Sequence, residues 1–146
     1  MRCNLILLMS LACFACADGP STAPSPSITD LAGTWVITRW ERTAVANPAK
    51  RQDLLAAGYA GTLTISSTGA FTFQAILPGG ASGTETGMIT VHGNTLTYDG
   101  EADELEYTLT LGNRTMTWVA IEVELNDVDG DGSPEDARET LGFGRS

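Results

Sequence analysis

From Asp30 onward, apolar and polar residues alternate along the chain. Leu63 and Ile65 interleave with Thr62, Thr64 and Ser66, and Phe71, Phe73 and Ala75 with Thr72 and Gln74. Ile89 and Val91 flank Thr90, and Leu96 and Tyr98 alternate with Thr95 and Thr97. Leu105, Tyr107, Leu109 and Leu111 alternate with Glu106, Thr108 and Thr110. A period of two gives a strand one apolar and one polar face, and the threonines favour extended backbone. Turn residues punctuate the pattern at Thr68-Gly69, Gly79-Gly80, His92-Gly93-Asn94, Asp99-Gly100 and Gly112-Asn113. The pattern predicts eight strands, near 33–43, 60–67, 70–77, 84–92, 94–99, 104–111, 114–126 and 137–145. Short strands joined in order by tight turns predict an all-β fold, an eight-stranded antiparallel up-and-down barrel. Closure at that strand number also removes exposed edges. A two-sheet sandwich is the alternative architecture.

Two segments depart from the alternation. Asn47 to Gly58 predicts one short helix after the first strand: Asn47 suits the cap, Pro48 the first helical position and Gly58 the stop. Lys50 and Arg51 sit unfavourably near the positive start of that helix, which makes it marginal. In the seventh strand, Met116 and Trp118 share one parity while Val119, Ile121, Val123 and Leu125 take the other. A bulge or sharp bend near Trp118 to Ala120 would reconcile the two.

The first residues obey different rules. Met1 and Arg2 precede Leu5, Ile6, Leu7, Leu8, Met9, Leu11 and Phe14, with no charge before Asp18. A basic start, an apolar run and a small-residue exit form a signal-peptide pattern, and the run is shorter than the ~20 residues a membrane span needs. All three cysteines, Cys3, Cys13 and Cys16, lie in this segment, so the domain after it has no disulfide framework. Cys13-Phe14-Ala15-Cys16 resembles a bacterial lipobox, which implies cleavage before Cys16 and lipidation of its thiol. Ser10-Leu11-Ala12-Cys13 offers a second such site, and Ala15-Cys16-Ala17 satisfies the rule for ordinary cleavage after Ala17. Cys16 is preferred because a Pro/Ser-rich, polar segment follows it at once and suits a tether. The chain thus divides into a lipoprotein signal with its lipidated cysteine (1–16), a tether (17–29) and a barrel domain (30–146). This predicts an exported lipoprotein, anchored to a membrane and facing the periplasm or cell surface.

Charge narrows the partners. Eighteen acidic against eight basic residues give a formal net charge of −10. That disfavours nucleic acid and anionic membrane surfaces and favours cations. The sharpest local motif, Asp127-Val128-Asp129-Gly130-Asp131-Gly132, resembles the first half of an EF-hand calcium loop. Oxygen ligands at alternate positions and a glycine at the sixth suit Ca²⁺. The position where such loops place a bidentate Glu holds Arg138. Candidate ligands are therefore Asp127, Asp129, Asp131, the Ser133 carbonyl and Glu135 or Asp136, with a weak affinity on the order of 10⁻⁴–10⁻³ M. The alternative is a solvated acidic hairpin in which Asp-Gly pairs make the turn. A second acidic run, Asp99 to Glu106, lacks that spacing and reads as a solvated turn.

Catalytic constellations are missing. The sequence holds one histidine, His92, in a glycine-flanked turn, and the domain has no thiol nucleophile. No Ser–His–Asp order, zinc-ligand spacing or phosphate-binding glycine loop stands in it. The protein is predicted not to be an enzyme. Asn113-Arg114-Thr115 is a formal glycosylation sequon without further support.

Gly33-Thr34-Trp35 opens the first strand and Phe143-Gly144-Arg145 closes the last. These elements resemble the lipocalin-like, or more broadly calycin, pattern. The resemblance implies that Arg145 packs over Trp35 and closes one end of the barrel. It also implies an interior pocket for a small apolar ligand, lined by Phe71, Phe73, Tyr98, Tyr107 and Trp118, with 47–58 as a lid. The competing reading makes those aromatics the core of a filled barrel. The function predicted is non-catalytic binding of a small apolar molecule. Its rival is a structural or interaction module of the cell envelope, calcium-stabilised and with a filled interior.

Overall fold

The computed structural model describes residues 25–146. Cys16, its alternatives Cys13 and Ala17, and the tether as far as residue 24 lie outside the described residues. The first element is α1 (Ile28–Leu31), a four-residue helix. Ser27 caps it: its backbone N–H donates to Asp30 Oδ2 at 2.9 Å and its hydroxyl to the same oxygen at 2.6 Å. Those bonds hold the Asp30 carboxyl below its ordinary range. The cap fixes the entry of Ile28, which packs against the core, and of Leu31, which is buried outright.

Ten strands follow in one antiparallel sheet: β1 (Gly33–Ala44), β2 (Arg51–Asp53), β3 (Ala60–Ile65), β4 (Ala70–Ile76), β5 (Ser82–His92), β6 (Thr95–Asp99), β7 (Glu104–Leu111), β8 (Thr115–Ala120), β9 (Glu124–Asn126) and β10 (Glu135–Arg145). Eight of them, β1, β3 to β8 and β10, run round in chain order, and β10 returns to pair with β1. The fold is therefore a closed eight-stranded antiparallel barrel, nearly all-β. Each strand predicted from the alternation has its counterpart. The inward positions are those the alternation marks: Leu63, Ile65, Phe71, Ile89, Leu96, Tyr98, Tyr107, Leu109, Met116, Trp118, Leu141 and Phe143 form one buried cluster with Leu31, Trp35 and Ile37.

Three details differ from the sequence reading. The short helix precedes the first strand, and Asn47 to Gly58 is not helical; it carries β2 between two turns. β1 leaves β3 after Val36, which frees an edge that Arg51–Asp53 pairs with at Glu41–Thr43. Ladder bonds to an existing strand outcompete a short helix that is marginal alone and starts with two cations. The second difference is a bulge that the sequence reading did not mark, in β1, where the register with β10 slips between Ile37 and Arg39; the bend expected near Trp118 to Ala120 falls directly after Ala120. The third is the seventh predicted strand, which splits. β8 stops pairing with β7 at Ala120, and β9 pairs only with β10. The odd-parity residues Ile121, Val123 and Leu125 are consequently exposed, Leu125 by 72%.

Candidate functional site

The two ends of the barrel differ. At the α1 end, Trp35 donates its indole N–H to the Leu31 carbonyl at 2.8 Å. The Arg145 guanidinium lies 4.9 Å from the centre of the Trp35 ring and donates to the Ala32 carbonyl at 2.6 Å. Trp35 and Arg145 are also direct partners in the β1–β10 ladder. Gly33 makes this approach feasible. Its φ is +136°, which side chains rarely adopt, and a Cβ there would stand 3.4 Å from an Arg145 nitrogen. This end is plugged.

β1 runs away from the plug, and the bulge at Thr38 changes which parity faces inward. Trp35 and Ile37 point in before it and Trp40 after it. Trp40 stacks edge-on with Tyr59 and Phe73, at 5.5 and 6.2 Å between ring centres. A second aromatic group fills the middle of the barrel. Phe71 meets Tyr98 at 4.3 Å, and Trp118 meets Tyr107 at 5.5 Å and Phe143 at 4.8 Å. Members of both groups line a cavity of about 130 Å³. Of the five pocket residues predicted, Phe73, Tyr98, Tyr107 and Trp118 line it, whereas Phe71 is packed against Tyr98 and does not. None of residues 47–58 lines the cavity, although Leu54 donates its backbone N–H to the Trp40 carbonyl and Leu55 packs on the core.

Two carboxylates share this apolar wall. Glu139 accepts from Trp40 Nε1 at 2.8 Å and from the Tyr107 hydroxyl at 3.5 Å, and Glu85 lies beside the Tyr98 hydroxyl. Burial, and then the neighbouring carboxylates, push both phenols well above their ordinary range, so they persist as protonated donors. Trp118 is 2% exposed, and among the described residues its Nε1 has no hydrogen-bond partner. A larger hollow of about 390 Å³ lies where β1 and β3 separate, but its walls are mostly outward-facing threonines and small residues.

The acidic loop lies against the far ends of β1 and β10. Val128 anchors it in a small buried cluster with Ala44 and Ala137. The Asp127 carboxylate accepts backbone N–H bonds from Gly130, Asp131 and Gly132 at 2.8 to 3.1 Å, and Asp131 accepts one from Ser133. Carboxylate oxygens of Asp127, Asp129 and Glu135 fall within 4.8 Å of one another. Asp131 and Asp136 are not part of that trio. The loop already holds a cation of its own, the Lys50 ammonium, 2.6 Å from Asp129 and 3.5 Å from Asp131. That contact raises the Lys50 ammonium above its ordinary value and lowers the Asp129 carboxyl.

Sequence reasoning missed Trp40, Glu85, Glu139 and Lys50. Glu85 shares its parity with Ile89 and Val91, and Glu139 with Leu141 and Phe143, so a charge on an apolar face was the available signal. Trp40 breaks the parity of Trp35 and Ile37, the mark of a bulge. Lys50 had no signal at all, because its partners lie in a different part of the chain.

No protein-family model matches the chain, and no curated protein matches it. Among solved structures it is similar to EF1p2_mFAP2b bound to DFHBI, with 19% identity and a TM-score of 0.49, over 82% of this chain and 97% of that one. That likeness is too distant to bear on function.

Proposed function

We propose that this chain is an exported, lipid-anchored protein whose barrel reversibly binds a small molecule built on one ring. The interior cavity is the observation that carries the reading. Its volume of about 130 Å³ is near the ~150 Å³ that admits benzene in an engineered core. It falls below the ~300–1,000 Å³ of sites for drug-sized ligands. A single ring fits between these walls and a long acyl chain does not. Among the described residues the lining has no Ser, Cys, His or Lys, and its ionisable groups, Glu85, Glu139, Tyr98 and Tyr107, serve in this reading as ligand contacts. Phenol is the probe: titration into the isotope-labelled domain should shift the Trp118 indole N–H resonance and spare that of Trp35. Absence of any shift at tens of millimolar phenol would remove the proposal. The export half rests on the leader pattern and the tether. Cys16→Ser should release the protein from membranes.

A second reading has one observation of its own, the approach of Asp127, Asp129 and Glu135. A calcium ion seated there would make the loop a stabilising clamp on the β1–β10 extension, with Lys50 as its built-in competitor.

A further inference from the structure

The cavity has a charge pattern that a site for a neutral ring does not require. Glu85 and Glu139 line it, and among the described residues no Lys or Arg does. Among the described residues Glu85 has no cationic partner within salt-bridge distance, and Glu139 has only Arg42, at 4.0 Å and outside the cavity. The remaining wall is largely aromatic, and ring faces carry the negative end of their quadrupole. A smaller hollow of about 40 Å³ adjoins the cavity, with Leu105, Tyr107 and Glu139 common to both. It adds Glu106, Glu122 and Glu124 against the single cation Arg42. The cavity and the hollow beside it thus both carry negative charge, and apart from Arg42 at 4.0 Å the cavity's carboxylates meet only neutral donors, which leaves a positive group favoured there.

We infer that the cavity selects an organic cation, a one-ring aromatic or heteroaromatic amine whose ammonium faces Glu85 and Glu139 while its ring lies among Trp40, Phe73 and Trp118. This rests on the cavity being a ligand site. The aromatic faces and the carboxylates act on the same charge, which neither a neutral ring nor an anion exploits.

Calorimetry on the wild-type domain with three probes of one size tests it: benzylamine, charged at neutral pH, benzyl alcohol and benzoate. Benzylamine should bind about tenfold tighter than benzyl alcohol, and benzoate should give no heat. Glu85→Gln should cut that preference for the amine over the alcohol severalfold. Equal affinity for amine and alcohol overturns the charge inference and leaves the ligand site standing. If none of the three binds, both fall. Because the wild-type comparison decides the matter, a variant that folds poorly does not blunt the test.

Discussion

Gly33, Trp35 and Arg145 show how much a fold can ask of single residues. Gly33 holds a φ of +136° with the Arg145 guanidinium over the place a side chain would fill. Gly33→Ala should therefore cost about 1–3 kcal/mol in backbone strain, measured by urea denaturation. Arg145→Met should cost about 0.5–1 kcal/mol for the lost cation–π contact, a modest loss because Arg145 is exposed. The two losses should nearly add, since a Cβ at Gly33 would stand at contact distance from the guanidinium without displacing it and the first cost is backbone strain. A clearly non-additive pair would show that Gly33 also acts through the space it leaves for Arg145. The glycine, tryptophan and arginine were all readable in the sequence, because the motif joins residues at the two strand termini that barrel closure must bring together. Trp118 was readable as a wall residue, but not as an unpaired donor. That property depends on which groups surround its nitrogen, and side-chain alternation carries no such information.

Among the elements, β3 to β7 were legible because each buries one face and solvates the other. β1 was harder to read, since the bulge at Thr38 sets Trp40 and Glu139 together across 99 residues of chain. Deleting Thr38 should restore strict alternation with Trp40 still facing inward opposite Leu141, and leave its indole as shielded from acrylamide quenching as before. Increased quenching would mean that the register slips elsewhere. The helix expected at 47–58 failed for a similar reason, as its propensity was local and the edge of β1 that displaced it was not. The acidic loop offers a sharper test at this scale. Lys50→Met removes the one ammonium among Asp129 and Asp131 and should tighten calcium binding about tenfold, on the order of one like charge leaving the shell. Calorimetry with calcium on both proteins checks this. Equal affinities would show that the ion and Lys50 use different oxygens.

At the scale of the whole molecule, alkali should be the weak point of the barrel. Tyr98 and Tyr107 have phenols raised above the ordinary value of 10.0. A group whose folded value is raised stabilises fully below the unfolded value, and its contribution drains away as pH climbs above it. Stability should hold up to pH 10 and fall beyond. Two of the three tyrosines should form phenolate only within the unfolding transition, as followed by ultraviolet absorbance and circular dichroism together. Phenolate growth that precedes the loss of structure would show both hydroxyls to be solvent-accessible. The pairing of β10 with β1 bears, finally, on the order in which the molecule can assemble. Trp35 meets Arg145, so the closing ladder joins residues 110 apart. Contacts at such separation are slow to form, and every other strand can zip to its neighbour before this one does. Until then β1 and β8 are open edges, able to pair with another copy of themselves. A chain cut short anywhere in β10 would thus be a sticky half-made sheet with no seam to close.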